Sequence, residues 1–137
     1  MLRDSGSWEI LSGVEFLASR VLLRPRDPDA SLTFYRDTLG LAVYREFPGG
    51  TVFFLGNGFL EVSGRGEHGP GPDLVLWLQV RDLASTAREL AARGVPVVRE
   101  PREEPWGLLE MWIADPDGLR IVLVEVPAEH PLRRDSR

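Results

Sequence analysis

Apolar and polar residues follow the same order in two stretches of the chain, residues 20–46 and residues 75–100. Each stretch begins with aliphatic residues, continues with apolar residues at helical spacing, and ends in an alternating run. These patterns predict a strand, an amphipathic helix and a second strand. The residues that open the two helices, Asp27 and Asp82, lie 55 positions apart, so the sequence predicts an internal repeat.

Both predicted helices carry start and stop signals. Asp27 and Asp82 each offer a side-chain oxygen to the N–H groups of a first helical turn, and Pro28 suits the first helical position. Gly40 and Gly94 supply the left-handed conformation that ends a helix. The apolar faces consist of Leu32, Tyr35 and Leu39 in the first helix, and Leu83, Ala87, Leu90 and Ala91 in the second.

The remaining patterns predict short strands joined by turns, and Gly56-Asn57-Gly58 is typical of a tight hairpin. We therefore predict an α+β fold with two βαβββ modules. The expected strands cover residues 41–47, 51–55, 59–63, 95–100, 108–114 and 119–126, with a charged, proline-broken loop at residues 101–107.

Composition sets the expected boundaries. Residues 19–63 form the first module and residues 73–126 the second, joined by a glycine- and proline-rich linker at residues 64–72. Residues 1–18 form an apolar arm, expected to pack on the body or on a partner subunit. Residues 127–137 form a polar tail that is expected to be disordered.

Charge and composition exclude several classes of function. The 137 residues include 16 basic and 21 acidic side chains, for a net charge of −5, and the basic residues are scattered. This distribution argues against nucleic acid and against an anionic membrane surface as partners. The absence of cysteine excludes disulfides and thiolate metal sites. Because no apolar run reaches the roughly 20 residues of a membrane span, a cytoplasmic protein is expected.

Three motifs, taken in order, resemble a known superfamily. They are DPDASLTFYRDTLGL at residues 27–41, VRDLASTARELAARGV at residues 80–95 and DPDGLRIVLVE at residues 115–125. Together with the βαβββ repeat, they resemble the vicinal oxygen chelate superfamily, which contains glyoxalase I, extradiol dioxygenases and bleomycin-binding resistance proteins. The resemblance implies two cupped sheets with a site on the concave side. Fold alone does not fix activity.

The resemblance also implies where a metal would bind. Metal-using members place one ligand on the first and one on the last strand of each module, which corresponds here to Arg20, Glu61, Val75 and Val122. Only Glu61 could bind a metal, because a guanidinium has no lone pair to offer. The two histidines, His68 and His130, lie in the linker and the tail. We therefore expect neither a metal nor another cofactor.

Arg20 and Glu61 are predicted to form an ion pair in the place of the metal. A half-buried carboxylate is better placed beside a guanidinium than alone. The alternative is a register slip that turns Arg20 to solvent, because a shift of one residue reverses the face of a strand.

The second module is expected to supply an apolar wall. Strand alternation puts Val75, Trp77 and Gln79 on one face and Val122 and Val124 on the face of the neighbouring strand. Tryptophan offers a wide surface for an aromatic ligand. The alternative is that Trp77 and Trp112 are core residues beneath the helices. The expected ligand-binding set is Arg20, Glu61, Val75, Trp77, Gln79, Trp106, Trp112, Val122 and Val124.

Three functions remain open at this point. The first is a metal-free protein of the bleomycin-resistance type that sequesters an aromatic or heterocyclic small molecule. The second is a metal-independent lyase, isomerase or hydrolase, with Glu61 as general base and Arg20 holding an anion. The third is a protein–protein module. Open sheet edges favour a homodimer in each case.

Overall fold

The computed structural model of the protein describes residues 13–134. In the first module the strands are β1 (Arg20–Leu23), β2 (Val43–Phe47), β3 (Gly50–Leu55) and β4 (Gly58–Ser63). In the second they are β5 (Val75–Gln79), β6 (Val97–Glu103), β7 (Leu109–Ala114) and β8 (Arg120–Glu125). Helix α1 (Pro28–Thr33) lies between β1 and β2, and helix α2 (Leu83–Ala92) lies between β5 and β6.

The two modules form two four-stranded mixed sheets with the same topology. Their strand orders are β1-β4-β3-β2 and β5-β8-β7-β6, with one parallel pair in each sheet. β2 bulges between Val43 and Arg45, and β6 bulges at the matching place between Val97 and Arg99. These features confirm the predicted α+β fold of two βαβββ modules.

Both helices begin where the sequence predicts. The Asp27 carboxylate accepts a hydrogen bond from the Ala30 N–H at 3.2 Å, and the Asp82 carboxylate accepts one from the Ser85 N–H at 3.0 Å. The first helix differs from the prediction in its second half. Residues Phe34–Thr38 form a π-helical turn, in which the Leu39 N–H donates to the Phe34 carbonyl at 2.8 Å. Gly40, with φ of 73°, ends it.

The core lies between the helices and one face of each sheet. It joins the modules, because it contains Tyr35 and Phe53 of the first together with Leu90 and Ile113 of the second. The Tyr35 hydroxyl also donates to the buried Asp115 carboxylate at 2.7 Å. Burial and this carboxylate raise the pKa of Tyr35, so the phenol stays protonated.

Three segments of the chain depart from their predictions or lie partly outside the described residues. The loop expected at residues 101–107 begins later, because β6 continues to Glu103. The tail was expected to be disordered, which is wrong for residues 127–134: Pro131–Arg134 form a 3₁₀ helix, and the His130 ring lies 3.0 Å from the Trp106 carbonyl oxygen. The N-terminal arm is described from residue 13 onward, and the prediction for residues 1–12 lies outside the described part.

Residues 13–19 do not pack on the body of this chain. The side chains of Val14, Phe16 and Leu17 are 79%, 85% and 89% exposed. Of the two packing sites expected for the arm, the body of this chain does not cover these residues, and packing on a partner subunit stays a prediction. Within residues 13–134, no helix is long and apolar enough to cross a bilayer.

Candidate functional site

The strand registers place the four predicted positions on matching sites of the two sheets. In the first module Arg20 pairs with Phe59, and Glu61 lies two residues further along β4. In the second module Val75 pairs with Arg120, and Val122 lies two residues further along β8. All four lie on the face opposite the helices, since Leu60 and Ile121 of the same strands lie in the core. We call this side of the two sheets the cup.

Arg20 and Glu61 form the predicted ion pair. The Arg20 Nη1 atom lies 2.9 Å from Glu61 Oε1, and the Glu61 side chain is only 13% exposed. The other carboxylate oxygen accepts a hydrogen bond from the Ser63 hydroxyl at 2.6 Å, and that hydroxyl in turn lies 3.0 Å from Arg24 Nη1. The alternative of a register slip is therefore excluded.

These contacts fix the charge of Glu61. The Ser63 hydroxyl and then the Arg20 guanidinium hold the pKa of the Glu61 carboxyl below its ordinary value of 4.5. The carboxylate is therefore ionised at neutral pH, and both of its oxygens already have partners. Such a group is a weak base, and it is poorly available to a further ligand.

The four positions do not fit a divalent metal. A catalytic site needs about three or four converging nitrogen and oxygen ligands, whereas Glu61 is the only one of the four positions with a side chain that can ligate a metal. Within residues 13–134 there is no group of three or more histidine, aspartate or glutamate side chains able to hold an ion. His68 is exposed in the linker, and His130 contacts Trp106. The four positions thus supply a single ligand for a metal ion.

An aromatic cluster beside the ion pair was missed by the sequence predictions. The rings of Tyr44, Phe54 and Phe59 lie with centroids 4.8–5.6 Å apart. Tyr44 is 49% exposed and Phe54 46% exposed, and the Arg20 guanidinium lies 6.0 Å from the centre of Phe59. The sequence could have indicated part of this cluster, because Phe54 and Phe59 flank the predicted hairpin and pair across it. The bulge that turns Tyr44 toward them has no such signal.

In the second module only the edge strand of the predicted wall is open. Trp77 is 48% exposed, Gln79 is exposed, and Val75 is partly buried. Val122 and Val124 are 4% and 0% exposed and form a small separate core with Leu108 and Val126. The expectation that these two valines form an open surface is wrong, and their binding role stays a prediction.

The loop between β6 and β7 covers those valines with the help of buried charges. The Glu104 side chain is 2% exposed and forms ion pairs with Arg99 and, at 3.6 Å, with Arg102. The Trp106 indole N–H donates to the Glu110 carboxylate at 2.9 Å. Trp106 remains 57% exposed, but its polar group is engaged within the chain.

Trp112 belongs to the same covered face. It is partly buried against the small core, and the Arg99 guanidinium lies 5.9 Å from its ring centre. It pairs with Val122 across the sheet and faces the cup. The alternative that Trp112 and Trp77 are core residues beneath the helices is therefore wrong.

A cleft of about 1060 Å³ connects the two modules beside the ion pair. The first module contributes Arg20, Phe59 and the hairpin at residues 55–58, and the second contributes Trp77 and Gln79. The cleft thus brings together three predicted site residues, Arg20, Trp77 and Gln79. The other six do not line it: Glu61, Val75, Trp106, Trp112, Val122 and Val124. Its volume is sufficient for a drug-sized organic molecule.

The cup carries an excess of positive charge. Within residues 13–134, the charged residues concerned are those on the cup face of the strands and those whose side chains bond to that face. Three glutamates lie there: Glu61, Glu104 and Glu110. Six arginines lie there: Arg20, Arg24, Arg45, Arg99, Arg102 and Arg120. The whole chain, by contrast, has a net charge of −5.

Comparison with known proteins agrees with this geometry. Residues 18–123 match the family described as the Glyoxalase/Bleomycin resistance protein/Dioxygenase superfamily. The chain is also 31% identical over 127 residues to a protein of Synechocystis sp. named "Probable lactoylglutathione lyase", an alignment that covers 79% of this chain and 94% of the relative.

Solved structures show the same fold. A glyoxalase/bleomycin resistance protein/dioxygenase from Nocardioides superposes with a TM-score of 0.74 at 17% identity, covering 90% of this chain and 92% of that one. A lactoylglutathione lyase from Agrobacterium tumefaciens superposes with a TM-score of 0.65 at 22% identity, covering 83% and 96%. The resemblance read from the three motifs is confirmed. The chain belongs to the Glyoxalase/Bleomycin resistance protein/Dioxygenase superfamily.

Proposed function

We propose that this protein binds an aromatic or heterocyclic organic molecule in its cup without a metal. The observation that carries the proposal is the Arg20–Glu61 ion pair at 2.9 Å, which occupies the place of a metal-binding pair. An ion pair of this kind offers a ligand hydrogen bonds and charge, but no coordination site.

The surfaces beside the ion pair supply the binding energy. Tyr44 and Phe54 are half exposed and lie against the ring of Phe59, which lines the cleft together with Trp77. Burying such rings against a planar ligand removes apolar area from water, at about 25 cal/mol per Å². Offset stacking adds roughly 0.5–1.5 kcal/mol for each aromatic pair. These surfaces favour a flat molecule that carries at least one polar group for Arg20.

A metal-independent lyase, isomerase or hydrolase is the second candidate, and the name of the Synechocystis relative favours it. In that case Glu61 would act as general base. Efficient general bases have a pKa near the working pH, whereas Ser63 and Arg20 lower the pKa of Glu61. The geometry therefore supports binding more strongly than catalysis.

Calorimetric titration with a series of aromatic compounds tests the proposal. We expect binding that weakens about tenfold or more in Phe54→Ser, because that change removes an exposed ring from the wall. Leu74→Ser is the control, since that apolar side chain is 52% exposed and does not line the cleft. Ligand recovered unchanged supports the binding protein, whereas turnover that is lost in Glu61→Gln with binding kept supports the enzyme.

We also propose that the protein is a homodimer in which a second copy covers residues 13–19. Val14, Phe16 and Leu17 are each more than three-quarters exposed in the single chain. A contiguous apolar segment of this kind is typical of an interaction site. Light scattering is expected to give a dimer for the full chain and a monomer for the Phe16→Ser/Leu17→Ser variant. A monomeric full chain would contradict the proposal.

A further inference from the structure

We infer that the ligand held in the cup is a planar aromatic anion. This inference rests on the proposed function and adds the charge of the ligand to it. The starting observation is the excess of arginine over glutamate on the cup face, in a chain whose overall charge is negative.

The cup's glutamates do not neutralise all of its arginines. Glu61 pairs with Arg20, and Glu104 pairs with Arg99 and Arg102. Glu110 accepts its hydrogen bond from the Trp106 indole. Among residues 13–134, three exposed cup arginines are therefore left without a carboxylate: Arg24, Arg45 and Arg120.

Arg45 and Arg120 have no carboxylate partner among residues 13–134. Both are exposed, and their strand partners, Val52 and Val75, are apolar. Arg24 hydrogen-bonds only to the hydroxyl and carbonyl oxygens of Ser63 within the same range. These three cations are available to an anionic ligand, and a guanidinium binds a carboxylate with two parallel hydrogen bonds.

Arginine also lies against aromatic rings on both halves of the cup. The guanidinium carbon lies 6.0 Å from the ring centre in Arg20–Phe59, 5.8 Å in Arg45–Phe47 and 5.9 Å in Arg99–Trp112. A ligand with a ring and an acid group would place the ring on these side chains and its acid beside the neighbouring guanidinium. A cationic ligand would instead meet like charges.

The overall charge of the protein increases this selectivity. A protein face with an excess of one charge raises the local concentration of oppositely charged small molecules. The acidic remainder of the surface repels anions elsewhere, so an anionic aromatic would bind at the cup in preference to other sites. Because partly exposed charges are screened by salt, the preference must weaken as ionic strength rises.

Three naphthalene probes of equal shape test the inference: 2-naphthoate, 2-naphthamide and 2-naphthylmethylammonium. Isothermal titration calorimetry at low salt is expected to rank them in that order, with the carboxylate about tenfold tighter than the amide. Raising the salt concentration is expected to weaken naphthoate and to leave naphthamide unchanged.

Charge-removing variants locate the effect. Arg45→Gln/Arg120→Gln is expected to weaken 2-naphthoate about fivefold to tenfold and to leave 2-naphthamide unchanged. Arg65→Gln/Arg88→Gln is the matched control, because it also removes two charges and both arginines are exposed outside the cup, in the linker and on α2. Circular dichroism of each variant checks that the fold is kept.

The outcomes separate this inference from the proposed function. Equal affinity for the carboxylate and the amide overturns the inference and leaves the proposed function standing. Tighter binding of the ammonium probe also overturns it. Failure of all three probes to bind overturns both. If Arg65→Gln/Arg88→Gln weakens 2-naphthoate as strongly as the cup variant does, the preference comes from the net charge of the protein, and the cup is rejected as its source.

Discussion

The two modules share one fold and one register but differ in what their cup faces offer. In the first module the face is open, and Arg20, Glu61 and three aromatic rings meet solvent. In the second, the matching valines are buried beneath a loop. Even the bulges coincide, since Arg45 and Arg99 hold matching positions in β2 and β6. The scaffold alone therefore does not determine the site.

The length of one connection accounts for the difference. β2 ends at Phe47 and β3 begins at Gly50, so a two-residue turn joins them. β6 ends at Glu103 and β7 begins at Leu109, and the intervening five residues fold back over the sheet. A few added residues convert an open face into a closed one. The cup is therefore an unequal pair of faces, with binding expected mainly on the first.

The largest expected loss of stability comes from a substitution in the loop that covers the cup face of the second module. Glu104→Ala removes a carboxylate that is 2% exposed and leaves Arg99 without its partner. Because Arg99 is partly exposed, we expect a loss of about 2–3 kcal/mol in the free energy of unfolding, at the low end for buried ion pairs. Urea denaturation measures it.

The neighbouring residue supplies the control for that change. Glu103→Ala alters an exposed carboxylate and is expected to stay within about 0.5 kcal/mol of the parent. Equal effects of the two substitutions would show that Glu104 does not hold the loop. The comparison between a closed and an open module would then lose its physical basis.

The next effect tests the bond that ties the two modules together. Tyr35→Phe removes the hydroxyl that donates to buried Asp115 at 2.7 Å. We expect a loss of about 1.5–2 kcal/mol in unfolding free energy, since hydrogen bonds to charged groups lie in that range. Tyr44→Phe, at an exposed ring of the open face, is expected to be neutral. An equal loss in both variants would contradict the assignment.

Sequence patterns predicted the fold because its determinants are local. Asp27 and Asp82 cap their helices through residues three positions away, and Gly40 and Gly94 end them with positive φ. The π-helical turn at Phe34–Thr38 was not predictable from spacing, since an apolar face at helical spacing fits both helix types.

The site was predictable only in part. The Arg20–Glu61 pair followed from the spacing implied by the resemblance, and strand alternation gave the cup face of Trp77. The cover over Val122 was not predictable, because it depends on contacts between a loop and a tail. Trp106 and His130, which make that contact, are 24 residues apart. No short pattern encodes it.

A smaller loss of stability is expected when Trp106, in the same loop of the second module, is changed. Trp106→Phe keeps an aromatic ring but removes the N–H that donates to buried Glu110. We expect a loss of about 1–2 kcal/mol in unfolding free energy, because a buried carboxylate loses a donor. Trp77→Phe changes a half-exposed tryptophan on the open edge strand and is expected to be near neutral. A larger loss at Trp77 would reverse the assignment of open and closed faces.

The smallest expected effect concerns the pKa of the Glu61 carboxyl on the open face of the first module. Carbon-13 NMR is expected to give Glu61 a pKa below 4.5, rising most in Ser63→Ala and less in Arg20→Gln. Because the folded-state pKa is lowered, the contribution of Glu61 to stability is present above pH 4.5 and is lost as the pH falls through the folded value. A Glu61 pKa above 4.5 in the parent would support the general-base alternative.

The most direct test of the metal-free cup is the metal content of the protein after dialysis against zinc, nickel, manganese and iron(II). Mass spectrometric metal analysis is expected to find no stoichiometric ion, because the guanidinium of Arg20 and the hydrocarbons of Val75 and Val122 leave Glu61 as a lone ligand. One ion per chain, lost in Glu61→Gln, would contradict the account.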